Sequence, residues 1–133
     1  MEITKELLQS YRSKKNEIVE LDWVLRHRWQ DDGLIGNDVV LDYRDGYPRP
    51  LGIVGFDYGE YDRRQKRDRT KKEALEKECA EIEDWVEAIP DSLTRRIFRM
   101  MYIHGRKQKQ VAKAVHLDQS SVSRKIDEYL KVA

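Results

Sequence analysis

Two apolar patterns flank a short break in the stretch QKQVAKAVHLDQSSVSRKIDEYL, which runs from Gln108 to Leu130. Before the break, Val111 and Val115 stand four residues apart, and Ala112 is small where two helices would approach closely. After the break, apolar residues recur at every fourth position: Val122, Ile126 and Leu130. This spacing predicts a short helix, a turn of three or four residues and a longer second helix, with all apolar positions facing one core.

The break itself carries turn and capping signals. The predicted turn is His116-Leu117, with Leu117 filling the corner between the two helices. Asp118 is the predicted N-cap of the second helix, because a carboxylate accepts hydrogen bonds from the unpaired amides of a first helical turn. A packing-only helical hairpin would need no more than these features.

Polar side chains near the start of the second predicted helix have no packing role. Recognition helices place their N-terminal residues in the major groove of DNA, where Arg suits guanine, Gln suits adenine and Ser suits several groups. The predicted base-reading residues are Gln119, Ser120, Ser121, Ser123 and Arg124. The residues predicted to hold phosphates are Arg106, Lys107, Lys109, Lys113 and Lys125. The stretch is therefore predicted to bind double-stranded DNA.

The charge distribution favours the same partner. The whole chain has a net charge of only +1, but residues 91–133 contain ten Lys and Arg against four Asp and Glu, a net charge of +6. Residues 31–60 contain two basic and seven acidic groups, a net charge of −5. A basic segment of this kind is typical of proteins that bind DNA or RNA. The alternative interpretation is a solvated basic face.

Three short segments follow one another in a familiar order. They are the apolar-aromatic-glycine corner Met101-Tyr102-Ile103-His104-Gly105, the segment Gln110-Val111-Ala112 and the segment Ser120-Ser121-Val122-Ser123-Arg124. In this order, residues 92–131 resemble region four of bacterial sigma factors and the related regulators of phages and mobile elements. The resemblance implies a helix-turn-helix that binds duplex DNA. The layout of the whole chain is similar to that of small phage late-gene regulators.

Two features depart from the sigma pattern. The turn usually holds glycine where His116 stands, and histidine tolerates a positive φ better than β-branched residues but less well than glycine. Nothing in the chain resembles sigma region two, the part that holds the polymerase core and melts promoters. We therefore expect a protein that binds duplex DNA without opening it.

The N-terminal half has a helix followed by a glycine-rich segment. Residues 1–30 are predicted to form one helix, capped by Thr4. Its apolar stripe has helical spacing: Leu7, Tyr11, Ile18, Leu21, Val24 and Leu25. Residues 31–60 contain six of the seven glycines, which forbids a continuous helix. Two short strands, at 39–41 and 53–54, or a mobile linker are the alternatives there.

Residues 61–89 predict a second amphipathic helix. Its apolar residues follow a 4-3-4-3 spacing: Leu75, Cys79, Ile82, Val86 and Ile89. Such a stripe packs either antiparallel on the first helix, forming a helical arm, or on the same stripe of a second copy, forming a homodimer. Pro90-Asp91 is predicted to stop this helix and cap the next, which begins the C-terminal module of residues 90–133.

Other sequence features point away from catalysis, metal binding and membranes. No nucleophile–base pair, phosphate-binding glycine loop or paired carboxylates stand out, so we expect no enzyme activity, no catalytic residue and no cofactor. The histidines lack the spacing of metal ligands. No run of 18 apolar residues is present, so no membrane span is expected. The single cysteine fits a reducing cytoplasm.

The sequence thus predicts an all-α protein with a helical-hairpin arm followed by a three-helix helix-turn-helix module. The predicted function is a sequence-specific transcriptional regulator of phage or mobile-element type, located in the cytoplasm. Two alternatives remain: a DNA-packaging component similar to a small terminase subunit, and a module that docks on RNA polymerase without reading bases.

Overall fold

The computed structural model describes residues 2–28, 41–42, 49–50 and 57–132. In that part of the chain the helices are α1 (Lys5–Gln9), α2 (Tyr11–His27), α3 (Tyr58–Glu87), α4 (Ser92–Phe98), α5 (Gln108–Val115) and α6 (Gln119–Val132). A π-helical turn, Arg99–Ile103, continues α4. Strands β1 (Leu41–Asp42) and β2 (Arg49–Pro50) pair antiparallel. The predicted all-helical class is confirmed, with this one small strand pairing added.

The N-terminal region forms two helices, not the single helix predicted for residues 1–30. Thr4 caps α1 as predicted, because its hydroxyl accepts a hydrogen bond from the Leu7 amide at 3.1 Å. The Ser10 hydroxyl then donates to the Leu7 carbonyl at 2.6 Å, which offers the backbone an alternative to a continuous helix. α1 therefore ends at Gln9, and α2 begins at Tyr11.

The structure divides into two compact units, of which one is Glu17–Ala74. In this unit the second part of α2 runs antiparallel to the first part of α3. Lys72 lies 3.1 Å from Asp22, and the Gln65 amide donates to the Leu25 carbonyl at 3.1 Å. Arg28 and Asp68 form a buried ion pair at the far end of the two segments. Polar contacts thus hold this pair of segments along its length.

The strands of this unit correspond only in part to the predicted ones. Leu41 pairs with Pro50, and Asp42 pairs with Arg49. Residue 41 belongs to the first predicted strand. The other positions of the two predicted strands, 39–40 and 53–54, lie outside the described residues, as does Trp29.

The other unit combines Met1–Asn16 with Leu75–Ala133. Here the start of α2 packs antiparallel on the end of α3, with a hydrogen bond from the Tyr11 hydroxyl to Glu83 and an ion pair of 2.9 Å between Lys14 and Glu78. The apolar stripe of α3 is buried in this single chain: Leu75, Cys79, Ile82, Val86 and Ile89. These five residues therefore serve the intramolecular core, which leaves none of them exposed for the homodimer contact considered above.

The predicted helix stop and N-cap between α3 and α4 are confirmed. α3 starts three residues before its predicted position and ends at Glu87, two residues earlier than predicted. Pro90 disfavours helical backbone at the residue before it. Asp91 then caps α4, since its carboxylate accepts hydrogen bonds from the Thr94 amide at 2.9 Å and the Thr94 hydroxyl at 2.7 Å.

The C-terminal helices close around a small apolar core. Ile97 and Phe98 on α4, Val111 on α5 and Val122 on α6 have no exposed surface. An aromatic cluster joins the end of α3 to these helices, with ring centroids 5.4 to 5.7 Å apart. Its members are Trp85, Phe98, Tyr102 and Tyr129. The start of α6 is thus held on a firmly packed base.

Candidate nucleic-acid interface

The turn between α5 and α6 contains a left-handed residue. His116 has φ 60° and ψ 40°. The Leu117 amide donates to the Ala112 carbonyl at 2.9 Å, and the His116 amide donates to the Lys113 carbonyl at 3.4 Å. These two hydrogen bonds form a Schellman motif, which normally places glycine at the left-handed position. The position at which the sequence departs from the sigma pattern is therefore one whose backbone favours glycine.

Asp118 fixes the start of α6. Its carboxylate accepts a hydrogen bond from the Ser121 amide at 2.7 Å and from the Ser120 hydroxyl at 2.9 Å. Hydrogen bonds from the hydroxyl and amide of Ser121, and from the hydroxyl of Ser120, hold the pKa of Asp118 below its usual value. The carboxylate therefore stays charged and engaged at the helix start, where negative charge is favourable.

The first residues of α5 and α6 lie side by side. The Gln108 side-chain amide donates to the Gln119 carbonyl at 2.6 Å. Val111, Val115 and Val122 are buried beneath this contact. The N-terminal ends of both helices therefore form one continuous surface on a common core.

The structure separates the five predicted base-reading residues into two groups. Gln119, Ser120 and Arg124 are exposed, whereas Ser121 and Ser123 are half-buried. At about 100° per residue, Ser120 and Arg124 lie on the face of α6 opposite the buried Val122. Ser121 and Ser123 lie on the two flanks of that face. Ser120 and Arg124 therefore present their side chains outward, and Gln119 is exposed as the first residue of α6.

The predicted phosphate-binding residues lie before α5, on α5 and on α6. Four of them are exposed and form no ion pair with a described residue: Arg106, Lys107, Lys109 and Lys113. Lys125 is half-buried. The Lys107 amide donates to the Gln110 side chain at 3.3 Å, which orders the start of α5. Four cations without an ion-pair partner among the described residues thus lie on the segment that leads into and along α5.

A second set of polar residues, which sequence reasoning missed, adjoins α6. Lys5 of α1 pairs with Asp127 at 3.2 Å, although 122 residues separate them in the chain. The Arg12 guanidinium donates to the Ile103 carbonyl at 3.2 Å. No local signal in the sequence indicates these contacts, since their partners are 122 and 91 residues apart in the chain.

These contacts enclose a cleft, called here the α1 cleft, of about 340 Å³. Its apolar floor includes Leu8 and Ile126, and its polar rim is formed by Lys5, Gln9, Arg12, Gln108 and Ser123. Ser123 thus lies in the cleft and not on the outward face of α6. None of the described residues that line the cleft is acidic.

Within the described part of the chain, no group of three or more His, Cys, Asp or Glu side chains is placed to hold a metal ion. Among the described helices, none has the length and apolar character needed to cross a membrane.

The chain was compared with protein-family models, with curated proteins and with solved structures, and none of them matches it.

Proposed function

We propose that the chain is a sequence-specific regulator of transcription that binds double-stranded DNA, of the type found in phages and mobile elements. In this proposal α5, the His116–Asp118 turn and α6 form a helix-turn-helix, and α6 is the recognition helix. α2 and α3 form a helical-hairpin arm that precedes the module in the chain, and the protein acts in the cytoplasm. No catalytic step is part of this function.

The observation that carries the proposal is the first turn and a half of α6. Gln119, Ser120 and Arg124 are exposed and polar, and none of them is needed to close the core. The Asp118 cap and the buried Val122 hold their backbone in place. Rigid presentation of donors and acceptors at the start of a helix is what reading base edges in the major groove requires.

The surrounding charge supplies the affinity. Arg106, Lys107, Lys109 and Lys113 would contact phosphates on the strand beside α5, releasing counterions as they do so. Lys125, half-buried on α6, would add a contact at the edge of the groove. Phosphate contacts set the orientation of the module, while Arg124 and Gln119 supply the sequence preference.

The proposal is tested by selection of binding sites from a random duplex pool, followed by titration of the selected site. Lys113→Ala should weaken binding to all duplexes alike and lower the slope of log K against log salt by about 0.9. Lys77→Ala, which removes an exposed lysine of α3, is the matched control and should change neither.

Two results would contradict the proposal. One is a selection that yields no enriched sequence, accompanied by capture of RNA polymerase, as expected of a docking module. The other is a ring of many copies that binds DNA without sequence preference, as expected of a packaging component.

A further inference from the structure

The α1 cleft lies along one flank of α6. Ser123 and Ile126 line it from α6, Gln108 lines it from α5, and Lys5, Gln9 and Arg12 line it from the N-terminal segment. Lys5 reaches Asp127, and Arg12 reaches Ile103 at the end of the π-helical turn. The N-terminal segment therefore lies beside the recognition helix and close to the first residue of α5.

The rim of the cleft is rich in donors. Lys5 and Arg12 are cations, and Gln9 and Ser123 form no side-chain hydrogen bond with a described residue. Arg12 is exposed and uses one of its nitrogens on the Ile103 carbonyl, so its other donors face solvent. None of the described lining residues is acidic, and the adjacent Asp127 is paired with Lys5. An array of cations and neutral donors of this kind suits a phosphate group.

The position of the cleft relative to α6 indicates which part of the DNA would supply this phosphate group. A helix in the major groove directs its outward face to the base edges, and its flanks face the two sugar-phosphate walls of the groove. Ser120 and Arg124 define the outward face of α6. The flank that carries Ser123 then faces one wall, and α1 lies on that flank, from which Lys5 reaches Asp127 near the edge of the outward face.

We propose that the α1 cleft binds the phosphodiester backbone of one DNA strand, opposite the strand held by the α5 cations. Lys5, Gln9 and Arg12 are the contacting residues. Lys5 has a second role, because its ion pair neutralises Asp127, a carboxylate that would otherwise face the phosphates. This inference rests on the proposed function, and it makes the N-terminal segment part of the DNA interface.

The test is the salt dependence of binding to the selected duplex. Each lost phosphate contact lowers the slope by about 0.9, so the contribution of one contact between 50 and 200 mM salt is about 3.5-fold in affinity. Two contacts together account for about 12-fold. When salt rises from 50 to 200 mM, the fall in affinity of the double variant Lys5→Ala/Arg12→Ala should therefore be about 12-fold smaller than that of the wild type. The control Lys71→Ala, at an exposed lysine of α3, should retain the wild-type slope.

The pairing of Lys5 with Asp127 gives a second readout. Asp127→Asn should strengthen DNA binding several-fold in the Lys5→Ala background, where the carboxylate has lost its counter-ion. The same change should have a smaller effect in the wild type. Equal effects in both backgrounds would overturn the assigned role of Lys5.

Folding is followed for each variant by circular dichroism and urea titration. If Arg12→Ala does not fold, Arg12→Lys keeps the cation and should keep the slope, whereas Arg12→Gln should lower it. If all folded variants keep the wild-type slope while Arg124→Ala still impairs binding, the cleft proposal is overturned and the DNA-binding function stands. If the wild type binds no duplex, the proposed function itself fails.

A free anion is the other source of a phosphate group. In a calorimetric titration without DNA, inorganic phosphate should bind only weakly, since the cleft is shaped to meet a strand that the rest of the module positions. Saturable binding of inorganic phosphate that the Lys5→Ala/Arg12→Ala change abolishes, together with an unchanged DNA slope, would assign the cleft to a small anion and overturn the proposal.

Discussion

Gly105 joins the end of the π-helical turn to α5, and replacing it by alanine tests how this junction is built. Gly105 has φ +65°. An L residue with a side chain pays about 1 to 2 kcal/mol in the left-handed region. The loss of flexibility in the unfolded chain returns about 0.4 to 1 kcal/mol. Backbone conformation alone therefore predicts a destabilisation of about 0 to 1.6 kcal/mol for Gly105→Ala.

The new methyl group also meets a neighbour. A Cβ atom at residue 105 would lie 3.0 Å from Arg12 Nε and 3.3 Å from Arg12 Cδ. The arginine side chain can move away, but its hydrogen bond to the Ile103 carbonyl is then weakened. We expect a total loss of about 1 to 2 kcal/mol, or roughly 3 to 8 °C in Tm.

Urea unfolding followed by circular dichroism measures this loss. The matched control is Gly59→Ala on α3, where an added Cβ lies 3.5 Å from Asp57 Oδ1, an ordinary contact. Alanine is the better helix former, so this change should stabilise the protein by about 0.5 kcal/mol. A Gly105→Ala variant as stable as the wild type would refute the reasoning about the junction.

Three further changes test the helices around the interface. His116→Gly should leave the free energy of unfolding within about 1 kcal/mol of the wild type. His116→Val should lower it by about 1 to 2 kcal/mol, because a β-branched residue tolerates positive φ poorly. A His116→Val variant as stable in urea as the wild type would contradict this. Asp118→Ala removes the cap of α6 and should lower Tm by a few degrees at neutral pH. Because the pKa of Asp118 is lowered by folding, this stability difference is full above the unfolded pKa of about 3.9 and disappears as pH falls through the folded pKa; a difference that does not change with pH would count against the cap. Ile97→Ala deletes a fully buried side chain and should cost about 2 to 5 kcal/mol in urea, and a loss below 1 kcal/mol would show a core less tightly packed than described.

The elements that sequence reasoning predicted well are those with strong local signals. Asp91 and Asp118 each precede a helix and cap it. Val111, Val115, Val122 and Ile126 are buried at the predicted spacing, whereas Leu130 is half-buried. His116 adopts the left-handed conformation that its place in the turn requires. Caps and turns depend on a few neighbouring residues, so one sequence is enough to find them.

The features that were missed depend on weak local choices or on distant contacts. The break at Ser10 comes from a side-chain hydrogen bond that competes with a continuous helix, and such competition leaves no periodic signal. The predicted stripe of the first helix matches the observed core only in part. Tyr11 of the stripe is buried, but Leu7 and Ile18 are only partly so, and Leu8, which lies outside the stripe, is buried.

The residues of the candidate site differ in the same way: some follow from a local pattern, and others depend on distant contacts. Which residues of α6 face outward follows from the helical period, so Ser120 and Arg124 were predictable once Val122 was assigned to the core. Ser123 was not, because its position is defined by α1, which comes from the other end of the chain. A docking contact between segments 122 residues apart has no signature in either segment alone.

The most direct test of the DNA-binding proposal is the affinity of wild type and Arg124→Ala for the selected duplex and for each of its single-base variants. If Arg124 reads a base, the Arg124→Ala change should cost about 1 to 3 kcal/mol, or about 5- to 150-fold in Kd, on the selected site. For duplexes changed at the base pair that Arg124 contacts, the two proteins should bind with the same Kd, because only the wild type discriminates at that position. Equal Kd values for the two proteins across all the duplexes would contradict a recognition helix at α6.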